Sequence, residues 1–162
     1  MSKRRIPQAL EPLVGLPLRC IGRAANIVWF HFGKLREVPG YGGGTKLVGQ
    51  YAVHVQCVWR LVCRGRILIA YRDFYYSAKG KPLEDWDSSS KSRFDILARR
   101  LSSQLESSAP LVRSVKADDV GGFSIVLSRG YRLDVFPDSS DRDGEDWRIF
   151  QPASRSRHFV VP

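Results

Sequence analysis

The stretch YAVHVQCVWRLVC, from Tyr51 to Cys63, carries the longest β-strand signal in the chain. Alternate side chains of a strand point to opposite faces. The odd positions of this stretch form an unbroken apolar row: Tyr51, Val53, Val55, Cys57, Trp59, Leu61 and Cys63. We therefore expect a central strand over residues 51–63, with its odd row in the main core and Trp59 largely buried.

The even positions of the same stretch give this strand a mixed second face. His54, Gln56 and Arg60 lie on that face with small and aliphatic residues between them. Two interpretations are open. The three polar side chains would either satisfy buried backbone and loop groups by hydrogen bonding, or form a pocket floor where Arg60 binds an anion and His54 is available for proton transfer.

The cysteines and histidines are too few and too scattered to predict a metal site. The chain has three of each, whereas structural zinc takes four closely placed ligands. We expect no metal and no cofactor. An odd, sparse set of cysteines is typical of a reducing compartment. The sequence also lacks a signal-peptide core and an apolar run of membrane-spanning length, so we expect a cytoplasmic protein without a membrane partner.

The hydrophobic pattern predicts a flexible basic tail over residues 1–9 and a single α+β domain over residues 10–162. Apolar residues at helical spacing predict one main helix at about 92–107, preceded by serines that can cap it. Strands before and after that helix indicate a helix packed on one largely antiparallel sheet of about six to eight strands. The main expected strands are 26–33, 46–63, 66–76, 111–117, 122–128, 131–136, 146–151 and 157–161.

Two loops invite comparison with known binding motifs and fit them poorly. GYGGGTKLV, residues 40–48, lacks the glycine before lysine of a phosphate-binding loop and leads into a strand. We expect a hairpin or lid loop there. PDSSDRDGEDW, residues 137–147, is rich in carboxylates, but its spacing departs from a calcium-binding loop. We expect an exposed acidic turn.

The net charge of +10 and the pI near 10 favour an acidic partner, either a protein surface or a nucleic acid. A compositional bias toward arginine is the other explanation. A nucleic-acid interface would need its basic side chains on one face, with exposed aromatic rings of residues 71–76 for stacking. The candidate residues are Lys3, Arg4, Arg5, Arg93, Arg99, Arg100, Arg155 and Arg157.

The sequence contains none of the catalytic motifs that would indicate an enzyme class. It has no nucleophile elbow, no paired carboxylates at a suggestive spacing and no cysteine–histidine dyad. This absence favours a non-enzymatic protein-binding domain as the first hypothesis. A nucleic-acid-binding protein with an arginine-rich surface is the alternative.

Several segments together resemble a group of uncharacterised, mostly actinobacterial proteins. They are NIVWFHFG (26–33), GQYAVHVQCVWRL (49–61), ILIAYRDFYY (67–76) and the closing EDWRIF and HFVV. The most specific part is an Ala-x-His-Val-Gln-Cys-x-Trp-Arg motif at 52–60, where Val53 and Val58 replace the expected leucine and proline. The resemblance implies a small cytosolic bacterial protein and assigns no residue a role. The terminal strands also resemble those of small immunity-type proteins that bind bacterial toxins, which implies a protein partner in a bacterial conflict system.

Overall fold

Within residues 5–162, which the computed structural model of the protein describes, the chain forms twelve strands and two α-helices. Most connections are short, and the longest ones precede α2 and β11. The strands are β1 (Leu18–Ala24), β2 (Ile27–Phe32), β3 (Arg36–Pro39), β4 (Thr45–Val48), β5 (Tyr51–Val55), β6 (Val58–Cys63), β7 (Arg66–Ala70), β8 (Val112–Ala117), β9 (Phe123–Leu127), β10 (Tyr131–Phe136), β11 (Trp147–Phe150) and β12 (Phe159–Val161). The helices are α1 (Ile6–Leu10) and α2 (Arg93–Ser107).

These strands form two five-stranded sheets and one separate hairpin, and every neighbouring pair is antiparallel. The first sheet has the order β1-β2-β5-β11-β12, and the second sheet has the order β7-β6-β10-β9-β8. Strands β3 and β4 pair with each other. The predicted fold class, a single α+β domain of antiparallel strands with one main helix, is confirmed. The prediction of one sheet is wrong, because the strands divide between two.

The division between the sheets occurs inside the stretch that gave the strongest strand signal. Gln56 and Cys57 separate β5, in the first sheet, from β6, in the second. Their backbone N–H groups both donate to the carbonyl oxygen of Asp146, at 2.7 and 3.3 Å. This local break in the ladder lets the chain leave one sheet and enter the other, as strands do at the corners of packed sheets. The prediction of a single strand over residues 51–63 is therefore wrong.

The odd row nevertheless faces one continuous core on both sides of the break. Its buried members are Val53, Val55, Cys57, Trp59 and Leu61. Trp59 is 1% exposed, and its ring lies edge-on to Phe30 and Phe94, with centroids 5.4 and 5.9 Å away. Since side chains from both sheets belong to the same core, the sheets pack face to face. The prediction that the odd row and Trp59 lie in the core is confirmed from Val53 to Leu61, whereas Tyr51 and Cys63 at its ends are half-buried.

The turn between β6 and β7 is the hairpin that the sequence predicts at Arg64 and Gly65. Both residues have positive φ, 50° and 79°, as the two central residues of a type I′ hairpin turn require. Strand β7 ends at Ala70, earlier than expected, because residues 71–74 form a 3-10 turn.

Helix α2 closes one side of the core, where it packs against β1 of the first sheet and β7 of the second. Its buried side chains are Phe94, Ala98, Leu101 and Leu105. Ser92 caps the amino terminus: its Oγ accepts from the Asp95 N–H at 3.2 Å, while the Asp95 carboxylate accepts from the Ser92 N–H at 2.9 Å. This reciprocal capping box fixes where the helix begins. The predicted helix and its serine cap are confirmed.

A buried ion pair joins β1 to the first turn of α2. Arg23 donates through Nε and Nη2 to the two carboxylate oxygens of Asp95, at 3.0 and 2.9 Å, and its side chain is 6% exposed. Burial alone would raise the pKa of Asp95, but the bonds from Arg23 and Ser92 outweigh it and hold the pKa below its usual value. The carboxylate therefore stays charged at neutral pH and anchors the helix to the edge of the first sheet.

From Ile6 onward the start of the chain is more ordered than the sequence suggests. Ile6 and Leu10 of α1 are buried, and α1 packs against β8 at the edge of the second sheet. The prediction of a flexible tail over residues 1–9 is wrong from Ile6 onward, because these residues bury apolar side chains. Lys3 and Arg4 lie outside the described residues.

Replacing Trp59 tests the position of the core. Trp59→Ala removes a fully enclosed ring, and we expect it to lower the free energy of unfolding by about 3–5 kcal/mol. Trp59→Phe should lower it by clearly less, because an aromatic ring stays in the core and leaves a smaller cavity. Within residues 5–162 the buried Nε1 of Trp59 has no hydrogen-bond partner, so this substitution also removes no hydrogen bond. Urea unfolding of the three proteins measures both changes. Equal losses for the two variants would contradict this account of the site.

Candidate functional site

The three candidate residues of the mixed strand face do not share one surface. His54 lies on the outer face of the first sheet, and Arg60 lies on the outer face of the second. Gln56 lies at the break between them, where its backbone N–H bonds to Asp146. The strand face expected from simple alternation is thus divided into two separate sites, one around Arg60 and one around His54.

Around Arg60, two arginines share one buried carboxylate. Arg60 Nε donates to Asp134 Oδ2 at 3.0 Å, and Arg132 Nε donates to Asp134 Oδ1 at 2.8 Å. Ser124 Oγ adds a third bond to Oδ1, at 2.7 Å. The guanidinium of Arg60 also lies over the Phe136 ring, 5.2 Å from its centroid. We call Arg60, Arg132 and Asp134 the arginine cluster.

The arginine cluster directs its free hydrogen-bond donors toward solvent. The side chains of Arg60 and Arg132 are 41% and 46% exposed, while that of Asp134 is 4% exposed. Each arginine uses only Nε to hold Asp134; within residues 5–162 the Nη atoms of both have no hydrogen-bond partner. Two guanidinium groups are therefore held in place with their terminal amino groups open, the geometry that suits a carboxylate or phosphate.

Asp134 holds the cluster together only while it is ionised. Burial would raise its pKa, but the hydrogen bonds from Arg132, Ser124 and Arg60 outweigh burial and keep the pKa below its usual value. The cluster then carries two positive charges and one negative charge. Lys116, the cross-strand neighbour of Ser124, adds a further positive charge on the same face. The outer face of the second sheet is accordingly basic.

His54 lies in a pocket of about 550 Å³ on the outer face of the first sheet. The strands of that sheet contribute Trp29, His31, His54 and Phe150. The hairpin β3–β4 forms the opposite wall with Val38, Pro39, Lys46, Leu47 and Val48. His54 is edge-on to Phe150, with ring centroids 4.8 Å apart, and 6.2 Å from Trp29. We call this the histidine pocket.

Both histidines of the histidine pocket are neutral at neutral pH. Burial lowers the pKa of His31 to about 4, with further lowering by His54 and Lys46. Burial and the nearby Arg148 lower the pKa of His54 to about 4, although Glu145 opposes them. The Nδ1 atom of His31 accepts a 2.8 Å hydrogen bond from the Gly49 N–H, so its proton is on Nε2.

The residues proposed for nucleic-acid binding are spread over several surfaces. Arg99 and Arg100 are exposed on α2, which packs along β1, whereas Arg155 and Arg157 precede β12 at the opposite edge of the first sheet. Arg5 is exposed and precedes α1, beside the second sheet. Arg93 pairs with Asp73 at 3.6 Å. The arginines of α2 and those of residues 155–157 thus belong to elements at opposite edges of the first sheet.

The aromatic side chains of residues 71–76 are packed among themselves. Phe74 is buried in the core, and Tyr75 bonds to the Tyr71 hydroxyl at 2.8 Å and packs against Trp86. Tyr76 is half-buried. These rings do not form the open stacking surface that a single-stranded nucleic acid would need.

Sequence reasoning missed Arg132, Asp134, Trp29 and His31. Arg132 and Asp134 are two positions apart on a predicted strand, and opposite charges at that spacing share a face, so this pair was visible as a signal. The contribution of His31 was not visible, because it depends on a hairpin folding back over the sheet.

Comparisons of the chain with protein-family models, with curated proteins and with solved structures found no match. Across residues 5–162, no cluster of three or more histidine, cysteine, aspartate or glutamate side chains is arranged to hold a metal ion. None of the helices in that range has the length and apolar character needed to cross a membrane.

The lowered pKa values of His31 and His54 predict an acid-sensitive fold. Their ordinary value is 6.5 and their folded value about 4. Between these values the unfolded chain binds protons that the folded chain does not, so the free energy of unfolding falls as the pH falls. The pKa values of Asp95 and Asp134 are lowered from 3.8, so the protonation of these carboxylates reduces the free energy of unfolding only at pH values below this window.

His31→Asn keeps an acceptor for the Gly49 N–H and removes one titrating group. We expect its unfolding free energy to depend less steeply on pH in this window, by at most about 1.4 kcal/mol per pH unit. Urea unfolding at several pH values gives the slope, with His158→Asn as the control for losing an exposed histidine. A slope as steep as that of the unchanged protein would contradict the neutral, buried state of His31.

Proposed function

We propose that this protein is a non-enzymatic protein-binding module whose outer face of the second sheet docks onto an acidic protein surface. The observation that carries the proposal is the arginine cluster: Arg60 and Arg132 are held by Asp134, with their Nη atoms open to solvent. Arginines that are already ordered lose little side-chain entropy when they bind a carboxylate.

The composition of the same face favours a protein over a nucleic acid. Phe136 and Ile67 lie beside the arginines and are 41% and 60% exposed. Arginine and exposed apolar side chains together are typical of the centre of protein–protein interfaces. The partner that we propose is an acidic protein of a bacterial conflict system, such as a toxin that this chain would neutralise. The likeness of the closing strands to immunity-type proteins supports this class of partner.

Reversing the charge of the arginine cluster tests the proposal. We expect Arg60→Glu/Arg132→Glu to weaken binding of an acidic partner by about 100-fold or more, since two central charge contacts become repulsive. The control is Arg99→Glu/Arg100→Glu, which makes the same change of charge on exposed residues of α2. Partners are captured from extracts of the producing cells, identified, purified and titrated against each protein by calorimetry.

A loss of binding in the α2 control, with binding retained in the cluster variant, would place the interface elsewhere.

A milder variant separates the charge of Arg60 from the geometry of its guanidinium group. Arg60→Lys keeps the charge but loses the planar fork, so affinity should fall while the melting temperature stays nearly unchanged, because Arg132 and Ser124 still hold Asp134.

The alternative proposal is a nucleic-acid-binding protein, and the net charge of +10 supports it. Exposed arginines on α2 would then contact phosphates. Binding of labelled DNA or RNA should weaken steeply between about 50 and 200 mM salt, and Arg99→Glu/Arg100→Glu should weaken it more than the cluster variant does. Absence of any salt-sensitive binding by fluorescence anisotropy would rule this alternative out.

A further inference from the structure

The histidine pocket is a second site, separate from the arginine cluster and on the opposite sheet. Its volume of about 550 Å³ lies within the range of small-molecule sites, about 300–1,000 Å³. Hairpin β3–β4 joins the neighbouring strands β2 and β5 and folds over the outer face of their sheet. Arg36 Nη2 fastens the hairpin by donating to the Pro152 carbonyl at 2.6 Å.

Aromatic rings line the floor of the pocket. Trp29 and Phe150 lie on either side of His54. The Trp29 indole rests on Gly22: a Cβ at that position would be only 2.5 to 2.7 Å from three of its ring atoms. The absence of a side chain at Gly22 therefore lets the indole lie against the sheet. A planar ring entering the pocket would meet a surface of other rings, with which it can pack favourably.

Polar groups in the pocket have unused hydrogen-bonding capacity. Since His31 Nδ1 is taken by the Gly49 N–H, its Nε2–H is a donor. Within residues 5–162 neither this Nε2 nor either ring nitrogen of His54 has a hydrogen-bond partner. Among residues 5–162 the fully buried side-chain nitrogen without a partner is Trp59 Nε1, so the free histidine nitrogens are not sealed in the core. They belong to residues that line the pocket and are open to a ligand.

The charges of the residues in and near the pocket favour a ligand with a negative charge. Among the described residues that line the pocket only Lys46 is charged, and it is positive. Arg148, which lies near His54, is neutralised by two hydrogen bonds to Glu145, at 2.5 and 2.6 Å. The lining that residues 5–162 provide contains no carboxylate to balance Lys46. A ligand with one negative charge on an otherwise apolar, aromatic molecule would complement both the positive charge of Lys46 and the aromatic floor of the pocket.

We propose that the histidine pocket binds a small aromatic monocarboxylate, with its carboxylate at Lys46 and its ring between Trp29 and Phe150 beneath hairpin β3–β4. His31 Nε2–H is available as a hydrogen-bond donor to the ligand. The site is distinct from the proposed protein-binding face, so neither proposal depends on the other.

The test compares three probes on the purified protein: 3-phenylpropionate, its uncharged amide, and octanoate. We expect phenylpropionate to bind about tenfold more tightly than the amide, since an ion pair with Lys46 is gained, and more tightly than octanoate, which has no ring. Calorimetry measures affinity, and ligand-observed NMR identifies which part of the probe contacts protein. If octanoate bound most tightly, the aromatic part of the proposal would be wrong. If the acid and the amide bound equally tightly, the proposed role of Lys46 would be wrong.

Two variants locate the binding. Lys46→Met should weaken phenylpropionate by about tenfold and leave the amide unchanged, whereas Lys34→Met, the same change at an exposed lysine outside the pocket lining, should alter neither. Both lysines are exposed, so the variants should fold. Binding should also quench tryptophan fluorescence through Trp29, and Trp29→Phe should remove that quenching. Failure of every probe to bind at millimolar concentration, or equal effects of the two lysine variants, would overturn the proposal.

Discussion

The fold depends on one constraint: a single alternating row of apolar side chains has to remain in the core while its strand changes sheet. From Val53 to Leu61 every second residue is buried, although Gln56 and Cys57 break the ladder between them. The Asp146 carbonyl makes the break possible, because it accepts both freed N–H groups. Without that acceptor two buried donors would lose their partners, at a cost of about 1–3 kcal/mol each.

The change of sheet also determines where polar side chains can act. In an uninterrupted strand the even positions would share one face. Because the stretch is divided between the sheets, His54 faces outward from the first sheet and Arg60 faces outward from the second. A core that is lined from both sheets leaves two outer faces on opposite sides of the domain. One of them is open and carries the arginine cluster, and the other is covered by a hairpin and forms the histidine pocket.

Charge serves two different purposes in this molecule. Arg23 and Asp95 form a buried one-to-one pair, in which Nε and Nη2 of the guanidinium donate to the two carboxylate oxygens, and the pair anchors α2. In the arginine cluster two arginines share one carboxylate, so positive charge and hydrogen-bond donors remain. A balanced pair is suited to holding elements together, whereas an unbalanced and exposed cluster is suited to recognition.

Most of the local features of this protein could be predicted from patterns along the chain. Periods of two and of about 3.6 residues located nearly every strand and helix α2, the serines before α2 indicated its cap, and alternation assigned Trp59 to the core, because these signals depend on neighbours along the chain. The division into two sheets depended on a carbonyl ninety residues away, at Asp146. The arginine cluster needed the pairing of β6 with β10, and the histidine pocket needed a hairpin to fold over its own sheet. These features could be seen only in the folded structure, because hydrogen bonds and packing between distant segments do not produce a repeating pattern of residues in the sequence.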